Sequence, residues 1–449
     1  MGLFSCPMDA QIGNPDIGRL TTRAGSEGKA GRGLRLGLQW LRRHGPEVMA
    51  AAIPAEVNPD ILAWAREQSG YPPEVVARRV GVKPERLIAW EHGERKPTVR
   101  QAQELARYYH RPFGVFFLPQ PPALPPLAAE YRRLPGVTPG VESPEFRLAL
   151  RVMSSRREAT LDLQEELGLV APSFTTAAHL SEGALAIGRR IRQALGLDVD
   201  EQLRWRDEWQ AWRAWRSVVE AAGILVFLFP KVPLAETRGV SQLELPLPAV
   251  GINSREQAPG ARIFSLLHEV VHVALALAHE ERVALRETRN EVEWEDVERF
   301  AEEAASEAIV PGEALDGALK AARVPRDRWT LAQVRLLATR FRVTPLAMAT
   351  RLRAAGALSW EGYRRWKAAW NERVATLKPR KGGIATPVDK TLARAGRPFA
   401  QLVVEALDAN RITAVDASRY LDLRFDHFET LRNELRTGQA TGTGADAGQ

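Results

Sequence analysis

The segment Ser265-Leu-Leu-His-Glu-Val-Val-His-Val-Ala274 sets two histidines four residues apart, with a glutamate directly after the first. On a helix, residues i and i+4 share a face, so the imidazoles of His268 and His272 can reach one cation. Glu269 stands where a carboxylate can take a proton from a polarised water without binding the metal itself. The chain has only 8 His and 55 acidic residues in 449, and at those frequencies chance gives the pattern in roughly 2% of chains. Leu266, Leu267, Val270, Val271, Val273 and Ala274 make the helix apolar nearly all round, which predicts that it is buried. A buried helix carries two His and a Glu only when they are paired or bound to something. The chemistry implied is metal-assisted hydrolysis.

A catalytic zinc site takes three protein ligands and leaves one position open. A third histidine ten residues after the first, following a glycine, is excluded, because Ala278 and Leu275 occupy those places. His279 is one residue out of place and reads as a helix-end or surface residue. The alternative is a glutamate on a following helix. Residues Glu291 to Val310 have helical spacing and stop at Pro311, offering Glu298, Glu302, Glu303 and Glu307. Spacing does not choose among the four, and most of them must form an ordinary solvated face.

Two blocks carry a resemblance. Arg262-Ile-Phe-Ser-Leu-Leu-His-Glu-Val-Val-His272, followed by Val297-Glu-Arg-Phe-Ala-Glu-Glu-Ala-Ala-Ser-Glu-Ala-Ile-Val-Pro311, resembles the ImmA/IrrE family of metallopeptidases. Aligned on Pro311, the resemblance implies that Glu298 is the third ligand beside His268 and His272, with Glu269 as general base. Ala301 and Ala305 fall where the family has small residues. The chain departs at Glu302, where the family usually has Asn, and at Ala304, where it usually has Phe. Zinc is the first choice for two imidazoles and one carboxylate, although Mn2+ or Fe2+ could occupy similar ligands. Upstream, Trp212 to Gly223 reads as a helix ended by a glycine cap and Ile224 to Phe229 as a short strand. Arg238 to Glu244 and Pro248 to Asn253 resemble two further strands of the family. Trp205, Trp209 and Trp212, spaced i, i+4, i+7, read as a core stripe.

The front of the chain has a different character. Asn58 to Gly70, Pro72 to Gly81 and Lys83 to Gly93 read as short helices with proline starts and glycine stops. The second and third, joined by a turn containing glycine, have the helix-turn-helix signature. Ala89-Trp-Glu-His-Gly-Glu-Arg-Lys-Pro97 and the helix Ala102 to Tyr109 resemble an XRE-type domain. Lys83, Glu85 and Arg86, at the start of the third helix, are the candidate DNA contacts. The two bases suit phosphate or guanine, whereas Glu85 could only accept from cytosine N4. A net charge of +7 agrees with a nucleic-acid partner.

The expected fold class is mainly α with a small β-sheet (α+β): a helix-turn-helix bundle, a gluzincin-like metallopeptidase domain and a small helical C-terminal module. Residues 1–54 are expected to be disordered or a mis-assigned start, with residues 1–48 lying upstream of a true start at Met49. The helix-turn-helix domain is placed at 55–119, a Pro-rich linker at 120–143 and the peptidase with its helical bridge at 144–378. A hinge is placed at 379–396, the C-terminal module at 397–436 and a disordered tail at 437–449. Phe341 to Leu352 looks like a second helix-turn-helix but reads as scaffold. The lone Cys6 excludes a disulfide within the chain, and no run approaches 18 uninterrupted apolar residues. No signal peptide is evident, so a cytoplasmic protein without a membrane partner is expected. The function expected is a regulatory zinc endopeptidase that cleaves a helix-turn-helix repressor or antitoxin-like partner and has its own DNA-binding domain. The alternative is a DNA-binding regulator or antitoxin whose peptidase fold senses metal or ligand without proteolysis. The oligomeric state is left open.

Overall fold

The computed structural model describes residues 53–122, 142–170, 172–278, 291–376 and 385–440. Met49, Cys6, most of the Pro-rich linker, His279 and residues 441–449 of the tail lie outside them.

Four short helices open the described chain: α1 (Pro59–Ser69), α2 (Pro73–Arg79), α3 (Pro84–Glu91) and α4 (Val99–Tyr108). Local chemistry sets their ends. The Asn58 side chain accepts from the Asp60 N–H, proline fills the first turn of the first three, and Thr98 forms a capping box with Gln101 on α4. Ile61, Leu62, Val76, Leu87, Trp90 and Leu105 build their core. Buried Glu91 on α3 accepts two hydrogen bonds from Arg66 on α1, at 2.8 and 3.0 Å, which fixes the crossing of the two helices.

The 23-residue helix α5 (Pro144–Glu166) follows, capped by Ser143. Its first turns hold the helix-turn-helix bundle: Arg147 donates to Glu67 O at 3.2 Å and Arg151 to Gln68 O at 2.8 Å, satisfying carbonyls in the last turn of α1. Gly70 makes room for this, since a Cβ there would lie 3.0 Å from Arg147 Cδ. Further along, α5 lies on the sheet. Ser154 accepts from Gln242 at 2.6 Å, and Arg157 donates to Leu247 O at 2.7 Å.

Three helices, α6 (Ala184–Ala194), α7 (Val199–Arg204) and α8 (Glu208–Ala221), lead into a small sheet of β1 (Leu225–Phe229), β2 (Gly239–Gln242) and β3 (Ala249–Asn253). Its order is β1-β3-β2, with β1 parallel and β2 antiparallel to β3. Period-two alternation splits β1 between two cores. Leu225, Phe227 and Phe229 face α5 and the C-terminal helices, while Val226 and Leu228 face the layer that contains the histidine helix. Coverage on both faces explains why all the strand residues are buried.

The histidine helix α9 (Pro259–Leu277) and the glutamate-rich α10 (Glu291–Ile309) come next. The helices α11 (Gly312–Ala322), α12 (Leu331–Phe341), α13 (Pro345–Ala354) and α14 (Trp360–Ala375) wrap around them. α12 and α13 are joined by a short turn over 342–344, but Met348, Ala349 and Leu352 of α13 are buried in the core and none of its residues is exposed, so no face of it is free to enter a groove. The chain ends with α15 (Pro387–Ala395), α16 (Arg397–Asp408), α17 (Ala414–Leu421) and α18 (Phe428–Ala440).

Three expectations need correction. The hinge placed at 379–396 contains α15, started by a Thr386/Asp389 capping box with Pro387 in its first turn, with Val388 and Ala395 buried. The Lys- and Gly-rich stretch before it carried the reading too far. The helices from 397 on do not stand apart either, because Phe399, Val403, Leu421 and Phe428 share a core with α5 and β1, and Phe399 meets Phe227 edge to face. The tryptophan stripe also breaks. Trp205 and Trp212 are buried, but Trp209 is 47% exposed with Arg262 over its ring. Asp207 caps a new helix after Trp205, so the three do not share one helical face.

Candidate metal centre

Helix α9 is long and apolar enough to cross a membrane by length and composition, yet most of it is buried in protein. Its burial comes from α8 on one side, α10 on another and the sheet beneath. Pro259 starts the helix, and Gly260 lets it approach the turn before α13, where a Cβ would lie 2.9 Å from Thr344 N. Arg262 donates to Ser254 O and Glu256 O, tying the start of α9 to the end of β3.

The polar residues lie in the middle of this helix: His268 is 8%, Glu269 2% and His272 0% exposed. One helical turn brings the two imidazoles together, with Nε2 to Nε2 at 3.2 Å. Phe264, one turn earlier, stacks along His268 at a centroid distance of 6.4 Å and limits its ring orientation. Across from them, the Glu298 carboxylate lies 3.3 Å from His268 Nε2 and 3.7 Å from His272 Nε2. The three side chains each direct one donor atom into a region where all lie within 4.8 Å of one another.

These spacings suit a shared cation. Tetrahedral coordination with ligand bonds near 2.0–2.1 Å sets ligand atoms about 3.3–3.4 Å apart, against the 3.2, 3.3 and 3.7 Å found here. Two imidazoles and a carboxylate are also the donor types that zinc takes.

The other three candidate glutamates of α10 have different surroundings. Glu302 is exposed, Glu303 lies 3.6 Å from Arg353, and buried Glu307 faces Arg351 and Arg189 and accepts from Gly312 N–H at 3.0 Å. The end of α10 is what holds Glu298 in register. Arg192 donates to Ala308 O and Gln202 Oε1, both at 2.8 Å. Gln202 donates to Ile309 O and Phe341 O, and Arg351 to Val310 O. These donors satisfy carbonyls that the helix end leaves open, and the guanidinium charges complement its dipole. Burial pulls the Arg192 guanidinium down to about 10 and also lowers that of Arg351, which Glu307 partly offsets. Close packing of α6 adds to this, since a Cβ at Gly188 would lie 2.3 Å from Ala304 O.

Gln202, Gly188 and Gly239 were not singled out by the sequence reading. Gln202 carries no sequence signal, because its partners are 107 and 139 residues away. An isolated glycine in a strand or helix pattern signals a close approach. Gly239 is such a case, opening β2 directly against Glu269.

In the helix-turn-helix bundle, Lys83 precedes the first turn of α3, and Lys83, Glu85 and Arg86 are all exposed. With Gly81, Val82, Ala89, Glu94 and Arg95 they line a shallow hollow on the surface of the bundle. The hollow is mixed in charge, with three basic and two acidic side chains.

Comparison with known proteins agrees with this division. Residues 219–353 match the family model of the M78 peptidases, described as IrrE N-terminal-like domain, and residues 62–116 match a helix-turn-helix model. No curated protein and no solved structure matches the chain. The first family consists of metal-dependent peptidases and the second is a DNA-binding module, so the chain joins an IrrE-like peptidase domain to a helix-turn-helix.

Proposed function

We propose that this chain, with an IrrE-like domain behind a helix-turn-helix, is a zinc-dependent endopeptidase that cleaves a DNA-associated regulatory protein. Such a substrate would be a helix-turn-helix repressor or an antitoxin-like partner. The observation that carries the reading is the convergence of His268, His272 and Glu298 in a buried site, with Glu269 on the same helix.

In this mechanism His268, His272 and Glu298 would hold the cation. When bound, it supplies Lewis acidity to the attacking water and the scissile carbonyl. The Glu269 carboxylate takes the proton from that water as its oxygen attacks the carbonyl carbon. It then returns the proton to the amide nitrogen as the C–N bond breaks. The apolar wall of α9 keeps bulk water from competing for this proton. Glu298 compensates charge at the site but lies on another helix, so it would be a ligand and not a proton carrier.

The exposed bases at the start of α3 supply the second half of the proposal. Lys83 and Arg86 would contact phosphate or guanine and Glu85 would accept from cytosine N4, giving weak sequence discrimination. A peptidase held on DNA meets DNA-bound substrates at a raised effective concentration.

The test pairs metal content with cleavage. About one zinc per chain is expected after reconstitution and desalting, and none in His268→Ala. Incubation with a panel of helix-turn-helix repressors, beginning with any encoded beside this chain, should give one defined cleavage of the substrate. In Glu269→Gln the zinc should remain while the rate falls by about 10²–10⁴-fold. Zinc retention together with no cleavage by the native chain would favour a regulator that senses metal without proteolysis.

A further inference from the structure

Gly239 opens β2, which lies at the edge of the sheet and pairs only with β3 among the described residues. Its backbone does not call for glycine, since its φ lies outside the left-handed region. Space does. A Cβ built there would lie 2.9 Å from Glu269 Oε1, 3.0 Å from Cγ and 3.2 Å from Cδ, and these are its three nearest atoms.

The strand side of this contact has no room to retreat, so the Glu269 side chain is what must move. Gly239 is in register with Ile252 of β3, and its carbonyl accepts from Thr237 Oγ1. Asn253 then holds the strand entry twice, donating through Nδ2 to Thr237 O at 2.8 Å and through its N–H to Arg238 O at 2.9 Å. Arg238 pairs with Glu256 at 2.8 Å, and Ser265 of α9 donates to the same carboxylate at 3.4 Å. The start of β2 is therefore tied to the helix that carries Glu269. Glu269 itself is 2% exposed, between His268 and a fully buried Val270.

We infer that Gly239 is a positioning residue: the bare backbone of β2 is the wall against which the Glu269 carboxylate is set for proton transfer. The inference rests on the reading of Glu269 as general base. A methyl group at 239 would turn the carboxylate away while leaving His268, His272 and Glu298 in place, so geometry for proton transfer would be lost without loss of metal. In an extended strand a glycine-to-alanine change ordinarily stabilises, because it narrows the unfolded ensemble. The contact with Glu269 reverses that sign here.

The experiment is a double-mutant cycle of Gly239→Ala and Glu269→Ala in the full, zinc-reconstituted chain, reading Tm and zinc per chain, with no substrate needed. Gly239→Ala in the native background should lower Tm by several degrees and keep its zinc. In the Glu269→Ala background the same change should leave Tm unchanged or raise it. Equal losses of Tm in both backgrounds, no loss in either, or loss of zinc in Gly239→Ala would overturn the inference. If Gly239→Ala does not fold, the double variant should, and failure of both would also overturn it. Once a cleavage assay is in hand, Gly239→Ala should lower kcat by about 10–100-fold with KM unchanged, a share of what the base supplies. A change confined to KM would count against a positioning role. Full activity in Glu269→Gln would refute the general-base reading by itself, and the Tm cycle would still report whether Gly239 sets that side chain.

Discussion

Helix α10 carries two buried acidic clusters of opposite kind. At its end, Glu307 faces the guanidinium of Arg351, and Arg192 and Gln202 cover the last carbonyls. Nearer its start, Glu298 faces the imidazoles of His268 and His272. One cluster sets a carboxylate against a guanidinium, whereas the other sets one against two imidazoles that could hold a metal. The first has the composition of a structural joint and the second that of a site completed from outside. A buried carboxylate therefore says little until its compensating charge is identified.

The largest expected effect is on metal. Glu298→Ala should take bound zinc from about one per chain to none, measured by elemental analysis after desalting. Chelation should then lower the Tm of the native chain but not of this variant, because only the native fold gains stability from the ion. Next is the structural cluster. Glu307→Ala leaves Arg351, whose side chain is 3% exposed, without its partner. It should cost about 3–5 kcal/mol in chemical denaturation. The folded fraction should keep its zinc, and pairing Glu307→Leu with Arg351→Met should recover most of the loss. If Glu307→Ala instead removed zinc from folded protein, the division between the clusters would be wrong. A smaller cost, about 1–3 kcal/mol, is expected for Gln202→Leu, which strips a donor from two buried carbonyls. The smallest effect belongs to Glu302→Ala. On an exposed face it should change stability by no more than about 0.5 kcal/mol and leave zinc in place, and zinc loss there would put the α10 register in error.

What could be read in advance followed the range of the interactions. His268 and His272 lie on one helix, so spacing alone brought them together, and the caps at Asn58, Thr98 and Thr386 act within three residues. Glu298 required more, since four glutamates on α10 had suitable spacing and only resemblance separated them. The partners of Glu303 and Glu307 come from α13 and α6, elements distant in sequence. Trp209 was misplaced because the hydrophobic period ran unbroken across the cap at Asp207. The hinge was misplaced because the composition of Lys378 to Gly383 could not reveal that β1, some 160 residues earlier in the chain, was waiting as a packing surface for α15.

Helix α5 grips the bundle of α1 to α4 through Arg147 and Arg151 and lies on the sheet beside β2 and β3 through Ser154 and Arg157. It acts as a ruler. The offset between the exposed start of α3 and the candidate metal centre is set by this helix of 23 residues and its anchors at both ends. Inserting residues between 123 and 141 should leave the offset unchanged when measured by spin-label distances, whereas replacing Arg147 and Arg151 with alanine should broaden it. On the proposed reading as a peptidase held on DNA, a substrate bound beside this chain would meet Glu269 at a fixed number of base pairs and be passed over at others.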